Sequence, residues 1–225
     1  VVERPGPLRL VASGDATLAA TAAGRVDVEA LHLQGDGFSF SAFGTAGLAP
    51  DEPIGLQAEA TLEPARIAPE LRTSGSLRLL AKANGTRAAP TAELELEGTD
   101  VARPEVALAR LTARARYADE TFLLDAARAE LRPGGQVEGT GRFDLASGAG
   151  PWDLRARELP DALLGRFADA AARERWGIAG SALDVVAKVR HGRGEPLPLS
   201  GEGEASLSRG ATALASATGC LEARG

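Results

Sequence analysis

The chain has 225 residues, a net charge of −6 and a hydrophobic content of 44%. Its basic residues, of which only Lys82 and Lys188 are lysines, are interspersed with acids; that excludes the basic stripe of a nucleic-acid binder. One cysteine excludes an internal disulfide framework, and no run of about 18 apolar residues is present to span a membrane as a helix. Aromatics make up only 4%, glycine is plentiful at 27, and methionine is absent. A sheet carrying mostly Ala, Leu and Val buries little area per residue, so globular closure is weakly driven.

The opening residues VVERPGPLRL lack the charged and apolar regions of a signal peptide. With Val at position 1, the chain is expected to be an internal piece of something longer. From there on, apolar and polar residues alternate at period two. About fourteen short strands are predicted, punctuated by Gly, Pro, Asp and Asn. Their spans are 7–13, 15–22, 25–34, 37–48, 54–63, 75–83, 87–97, 105–117, 120–131, 135–146, 151–158, 179–190, 196–207 and 211–222. The alternation is plainest near the middle. Ala92, Leu94 and Leu96 share one face, against Glu93, Glu95 and Glu97; Ala109, Leu111, Ala113, Ala115 and Tyr117 oppose Arg110, Thr112, Arg114 and Arg116.

Between the sixth and seventh spans, Asn84-Gly85 predicts a hairpin turn, because both residues tolerate positive φ. Asn84-Gly85-Thr86 also matches a glycosylation sequon, but the turn reading accounts for the dipeptide locally. Two stretches break the strand pattern. EPARIAPELRTSG (63–75) predicts a short helical turn between Pro64 and Gly75. LPDALLGRFADAAARERWG (159–177) places Leu163, Leu164, Phe167, Ala168 and Ala171 at helical spacing, with Asp161 as N-cap and Gly177 as stop. That predicts one short α-helix around 161–176. Its outward charges are of mixed sign, so it reads as a cap on the sheet rather than an interfacial membrane helix.

SGSLRLLAKANGTRAAPTAELELEG (74–98) overlays AGSALDVVAKVRHGRGEPLPLSGEG (179–203), a repeat offset of about 105 residues that argues for an extended array. The expectation is one continuous run over 1–225, in approximate repeats 1–73, 74–178 and 179–225.

An amphipathic sheet hides its apolar side under a second sheet, by closing into a barrel, under helices, or against a ligand. One helix of roughly sixteen residues, about 24 Å long, cannot cover fourteen strands. A sandwich calls for bulky inward residues, whereas the inward candidates here are Ala, Leu and Val with Phe38, Phe40, Phe43, Phe122 and Phe143. A soluble barrel of this size is unusual. The sequence therefore predicts an all-β fold, a long curved antiparallel sheet forming a U-shaped hydrophobic trough. Strands of about 33 Å spaced at about 4.8 Å give a trough near 65 Å long, and its apolar strip marks a binding surface. Strand phase nominates as lining Leu94, Leu96, Leu111, Ala113, Tyr117, Phe122, Leu124, Val137, Phe143, Leu183, Val185 and Val189.

Two stretches, SGSLRLLAKANGTRAAP through ELRPGGQVEGTGRFDL and WDLRARELPDALLGRF…WGIAGSALDVVAKVRHGRGEPLPLSGEGE, resemble repeats of the AsmA-like bacterial envelope proteins, especially the TamB family. The shared pattern is an alternating strand, a short helix with a Leu-Leu pair, a Gly-x-Leu strand opening, a Gly turn, a Pro and another alternating strand. Leu163-Leu164, Gly180-Ser181-Ala182-Leu183 and Pro196 carry it here. The resemblance implies a taco-like periplasmic β groove in an inner-membrane-anchored protein of a Gram-negative bacterium. It further implies carriage of phospholipid acyl chains between inner and outer membrane, support of outer-membrane protein assembly, and an outer-membrane barrel partner. The chain has neither the family's N-terminal anchor nor its C-terminal domain, so a mid-groove fragment is expected.

No chemistry competes with that reading. A hydrolase needs a nucleophile, a base and an orienting acid. His32, in the strand LHLQ, and His191, in the turn RHGRG, read as solvated surface. Cys220 reads as a small apolar filler, and Glu93, Glu95 and Glu97 as a solvated face. Two isolated histidines and one cysteine do not make a metal site. GQVEGTG (135–141) and SGEGE (200–204) lack the Gly-Lys-Ser/Thr ending of a phosphate loop, and their glycines suit a bent sheet instead. No enzyme and no cofactor are expected. The alternative is a structural or adhesive secreted β-repeat, a solenoid with a dry filled interior and no lipid.

Overall fold

The computed structural model describes residues 12–20, 24–104, 106–160, 174, 181–191, 199–209 and 212–223. The alternating segments form thirteen strands in one antiparallel sheet, and the strand order is the sequence order. They are β1 Ala12–Ala20, β2 Arg25–Gly35, β3 Phe38–Gly47, β4 Ile54–Leu62, β5 Ser74–Gly85, β6 Pro90–Arg103 and β7 Val106–Ala118. β8 Thr121–Arg132, β9 Gln136–Asp144, β10 Gly150–Pro160, β11 Ala182–His191, β12 Leu199–Arg209 and β13 Thr212–Ala223 follow. Each corresponds to a predicted span. The remaining predicted strand, 7–13, lies almost wholly outside the described residues. So does the 161–176 helix with its Leu163-Leu164 pair, apart from Glu174, which is helical.

Consecutive strands pair throughout, because period-two segments separated by turn residues pair most cheaply with their neighbours. Between β4 and β5 the predicted helical turn is present, as α1 Pro64–Ile67 followed by a 3₁₀ turn, Pro69–Leu71. Proline starts each piece, where its missing N–H costs nothing. Arg66 ties this link to Glu63 at 3.0 Å and to Asp36 in the β2–β3 turn at 3.2 Å. Ala68 is among the few buried apolar residues.

The Asn84-Gly85 hairpin forms, but the reversal is displaced from the predicted dipeptide. Asn84 and Gly85 are the last residues of β5, opposite Thr91 and Pro90. The chain turns over Thr86–Ala89, closed by mutual backbone hydrogen bonds of 3.3 and 3.2 Å. Gly85 alone takes positive φ, +92°, and a side-chain carbon there would run into the Ala89 carbonyl.

The chain forms two units, residues 1–104 with 111–119, and residues 105–110 with 120–225. Both show the same burial texture. Over much of β5 and β6 the side chains alternate between partly buried and exposed, though Leu80 on the charged side is partly buried as well. Among the described residues only Ala68, Ala115, Leu131 and Ala187 are buried apolar side chains, and no large side chain is fully buried. The facing side chains of a β-sandwich would be interdigitated and buried. Among the described residues of either unit the apolar face is not packed in that way.

Candidate functional site

Register decides which side chains share a face, because directly opposed residues in an antiparallel pair point the same way. In the first unit Leu31 and Leu33 oppose Ala42 and Phe40; Phe40 and Phe38 oppose Ala60 and Leu62; Ala60 and Leu62 oppose Leu79 and Leu77. Leu79 and Ala81 in turn oppose Leu96 and Leu94. A Cβ added to Gly98 would lie 3.0 Å from Leu77 Cδ2 and 3.1 Å from Leu111 Cβ, so the row reaches β7. Leu111, Ala113 and Tyr117 are in phase there, with Ala115 between them at 6% exposure. Nominated Leu94, Leu96, Leu111, Ala113 and Tyr117 thus share one face with Leu77, Leu79 and Phe40, which were not nominated.

The second unit repeats the arrangement. Phe122 opposes Phe143, and Val137 opposes Ala129; Val137 also opposes Ala156, and Trp152 opposes Gly141. Val185, Val189 and Leu183 oppose Ala156, Trp152 and Leu159. Across the next ladder Leu183 meets Leu207 and Val185 meets Ala205. Leu124 opposes Gly141. All seven nominated residues of this unit, Phe122, Leu124, Val137, Phe143, Leu183, Val185 and Val189, therefore lie on one face. Leu18 in the first unit and Leu154 in the second, both on the apolar side, are 60% and 41% exposed. Singly exposed apolar residues also occur on the charged side, at Phe43 and Val186.

The opposite face is charged and ordered by sign. In the first unit, Glu59 on β4 accepts from Arg78 on β5 at 2.7 Å, and that hydrogen bond holds the Arg78 guanidinium above its ordinary value. Arg78 and Lys82 oppose Glu97 and Glu93 on β6, and Glu95 pairs with Arg114 on β7 at 3.3 Å. Lys188 sits opposite Glu202 in the hairpin that overlays this one, so both lysines of the chain lie across from a glutamate. These pairs are exposed, and each contributes little to stability. Together they penalise a one-residue slip, which would carry the charges onto the apolar side.

β-Bulges bend the ladder and interrupt strict alternation. Between Ala156 and Leu159 the β10–β11 register shifts. Glu158 takes φ of +52°, and its N–H, released from the ladder, donates to Asp184 Oδ1 at 2.7 Å. The β5–β6 register shifts between Ser74 and Ser76, where Gly75 at φ +99° sits against the Asp100 carbonyl. In the second unit shallow depressions open on the charged face, one along Arg155, Arg157, Glu158 and Asp184, another along Lys188, Glu202, Glu204 and Thr218.

Three residues lie elsewhere than the sequence suggests. Phe43 is out of phase with Phe38 and Phe40; it opposes Gln57 on the charged side and is 52% exposed. Cys220 is exposed opposite Glu202, so it fills no apolar gap. His191 is the last residue of β11, not a turn residue. His32 is exposed in β2, and Glu93, Glu95 and Glu97 are exposed on the charged face. Among the described residues no group of three or more His, Cys, Asp or Glu is placed to hold a metal ion. Trp152 and Leu154 went unnominated although WDL has the right phase. The chain matches no protein-family model, no curated protein and no solved structure.

Proposed function

We propose that the chain is a section of a lipid-conducting β groove of the AsmA-like, TamB-related kind, acting in the periplasm of a Gram-negative bacterium. In this reading it passes phospholipid acyl chains between the inner and outer membranes and supports outer-membrane biogenesis. One observation carries it: each unit presents an apolar sheet face against which no second layer packs among the described residues. Water on such a face is costly, and acyl chains relieve that cost without any specific contact. Alanine, glycine and leucine provide a smooth lining with few anchors, which suits tails that slide. Head groups stay at the strand ends, where polar turn residues meet solvent. No step in this mechanism uses a catalytic residue. The rival, a structural solenoid, needs a dry interior of filled side chains, and only four apolar residues are buried among those described.

The test is mass spectrometry of lipids that remain with the purified chain, paired with Leu111→Asp. Leu111 contacts the Gly98 position in the apolar row, and a carboxylate there makes bound hydrocarbon unfavourable. Wild-type protein is expected to carry phospholipid and the variant to lose it while the far-ultraviolet strand signal persists. Protein purified without detergent and free of lipid refutes the reading.

A further inference from the structure

The three described aromatic side chains of the second unit gather at one rim of its apolar face. Phe122 and Phe143 are directly opposed near the start of β8 and the end of β9. Trp152 opposes Gly141, two residues from Phe143 on the same strand and side. The exposed 145–147 turn lies just beyond. Away from this rim the face is aliphatic, with Ala129 and Val137 followed by Ala156 and Val185.

Gly141 lets the indole lie down. A Cβ at that position would meet Trp152 at Cε3, with Cδ2 at 2.6 Å and Cζ3 at 2.8 Å. The ring therefore rests over the β9 backbone rather than standing away from it. It is partly buried, close to the strand ends where the face meets solvent. An aromatic ring with an apolar body and a polar tip settles where hydrocarbon gives way to water.

We propose that Trp152, with Phe122 and Phe143, forms an aromatic lip that holds a two-chain lipid at the level of its glycerol esters. The indole N–H donates to an ester carbonyl, and the acyl chains run from the rim onto the aliphatic strip. This rests on the lipid reading above and adds the recognition element, side chains that favour ester-linked diacyl lipid over free fatty acid. The lip also fixes which way round the lipid lies on this unit.

The test uses the full chain with Trp176→Phe, which leaves Trp152 as the only tryptophan. The protein is loaded with phosphatidylglycerol brominated either near the carboxyl end or near the methyl end of its chains, and bound lipid is counted by mass spectrometry in parallel. Carboxyl-end bromines are expected to quench Trp152 at least about twofold more strongly than methyl-end bromines, as its place at the rim requires. Trp152→Phe, which keeps a ring but removes the N–H, is expected to reduce the preference for diacyl lipid over fatty acid about fivefold, the worth of one hydrogen bond. Loaded protein with equal or reversed quenching overturns the lip and leaves the groove reading standing. Protein that takes up no lipid overturns both.

Discussion

Leu96→Ala measures whether anything packs over the apolar face. Leu96 opposes Leu79 across the β5–β6 ladder and is only partly buried. In an enclosed core the same truncation costs about 2.7–5.0 kcal/mol, because a cavity is added to the lost transfer energy. On a single-layer face no cavity is closed off: solvent or lipid follows the shrinking side chain. Only the transfer contribution of three carbons remains, about 2.4 kcal/mol at full burial, and partial exposure lowers it to about 1.5 kcal/mol. Urea unfolding followed by circular dichroism reads this directly, with an unchanged slope showing that the same surface is exposed in both proteins. Glu95→Ala, the adjacent position on the charged side, is the control and is expected to lie within about 0.5 kcal/mol of wild type. A loss at Leu96 above about 2.7 kcal/mol would mean a closed, packed layer over the face and would refute the reasoning.

Other expectations are local. Gly75→Ala puts a side chain at φ +99° against the Asp100 carbonyl and is expected to cost about 1–3 kcal/mol; Gly134→Ala, with nothing within 4 Å, should be neutral or slightly stabilising, and equal melting temperatures for the two variants would contradict this. Asp144 accepts from the Ser147 N–H at 2.7 Å, which holds its carboxyl below the ordinary value of 3.8. A depressed carboxylate stabilises the fold above its unfolded pKa and loses that contribution as pH falls through the folded value. The stability gap between wild type and Asp144→Asn should therefore narrow from about pH 7 to about pH 3, and urea midpoints that keep a constant gap would count against the assignment. Cys220 is exposed, so maleimide should label it in the folded chain within about tenfold of the rate for an unfolded thiol; strong protection would place it in an apolar interior after all.

Most of the sheet was readable because period two survives in the individual strand even when nothing else is known. Glu93, Glu95 and Glu97 against Leu94 and Leu96 leave only one orientation with the charges in water. The face shared by Leu111, Ala113 and Tyr117 follows from the same rule. What was lost depends on interruptions that no residue type announces. The bulge between Ala156 and Leu159 puts residues three apart on one side, so counting by two fails across it. Phe43 was grouped with Phe38 and Phe40 by chemistry although its odd spacing already placed it opposite. Asn84-Gly85 drew the turn to itself, but the β5–β6 ladder gains another pair, Gly85 with Pro90, before the chain reverses. Trp152 was passed over because its environment depends on a glycine on a different strand, an absence of side chain that only pairing brings next to it.

A sheet in which each strand is hydrogen-bonded only to its immediate predecessor and successor keeps contact order low for a β protein, since partners are rarely more than a hairpin apart along the chain. Assembly can begin at any hairpin and spread in either direction. The same wiring makes length adjustable: a duplicated or deleted hairpin alters the number of rungs without rewiring those that remain. Copying or losing a hairpin can thus change the number of strands in such a sheet without disturbing a unique packed centre.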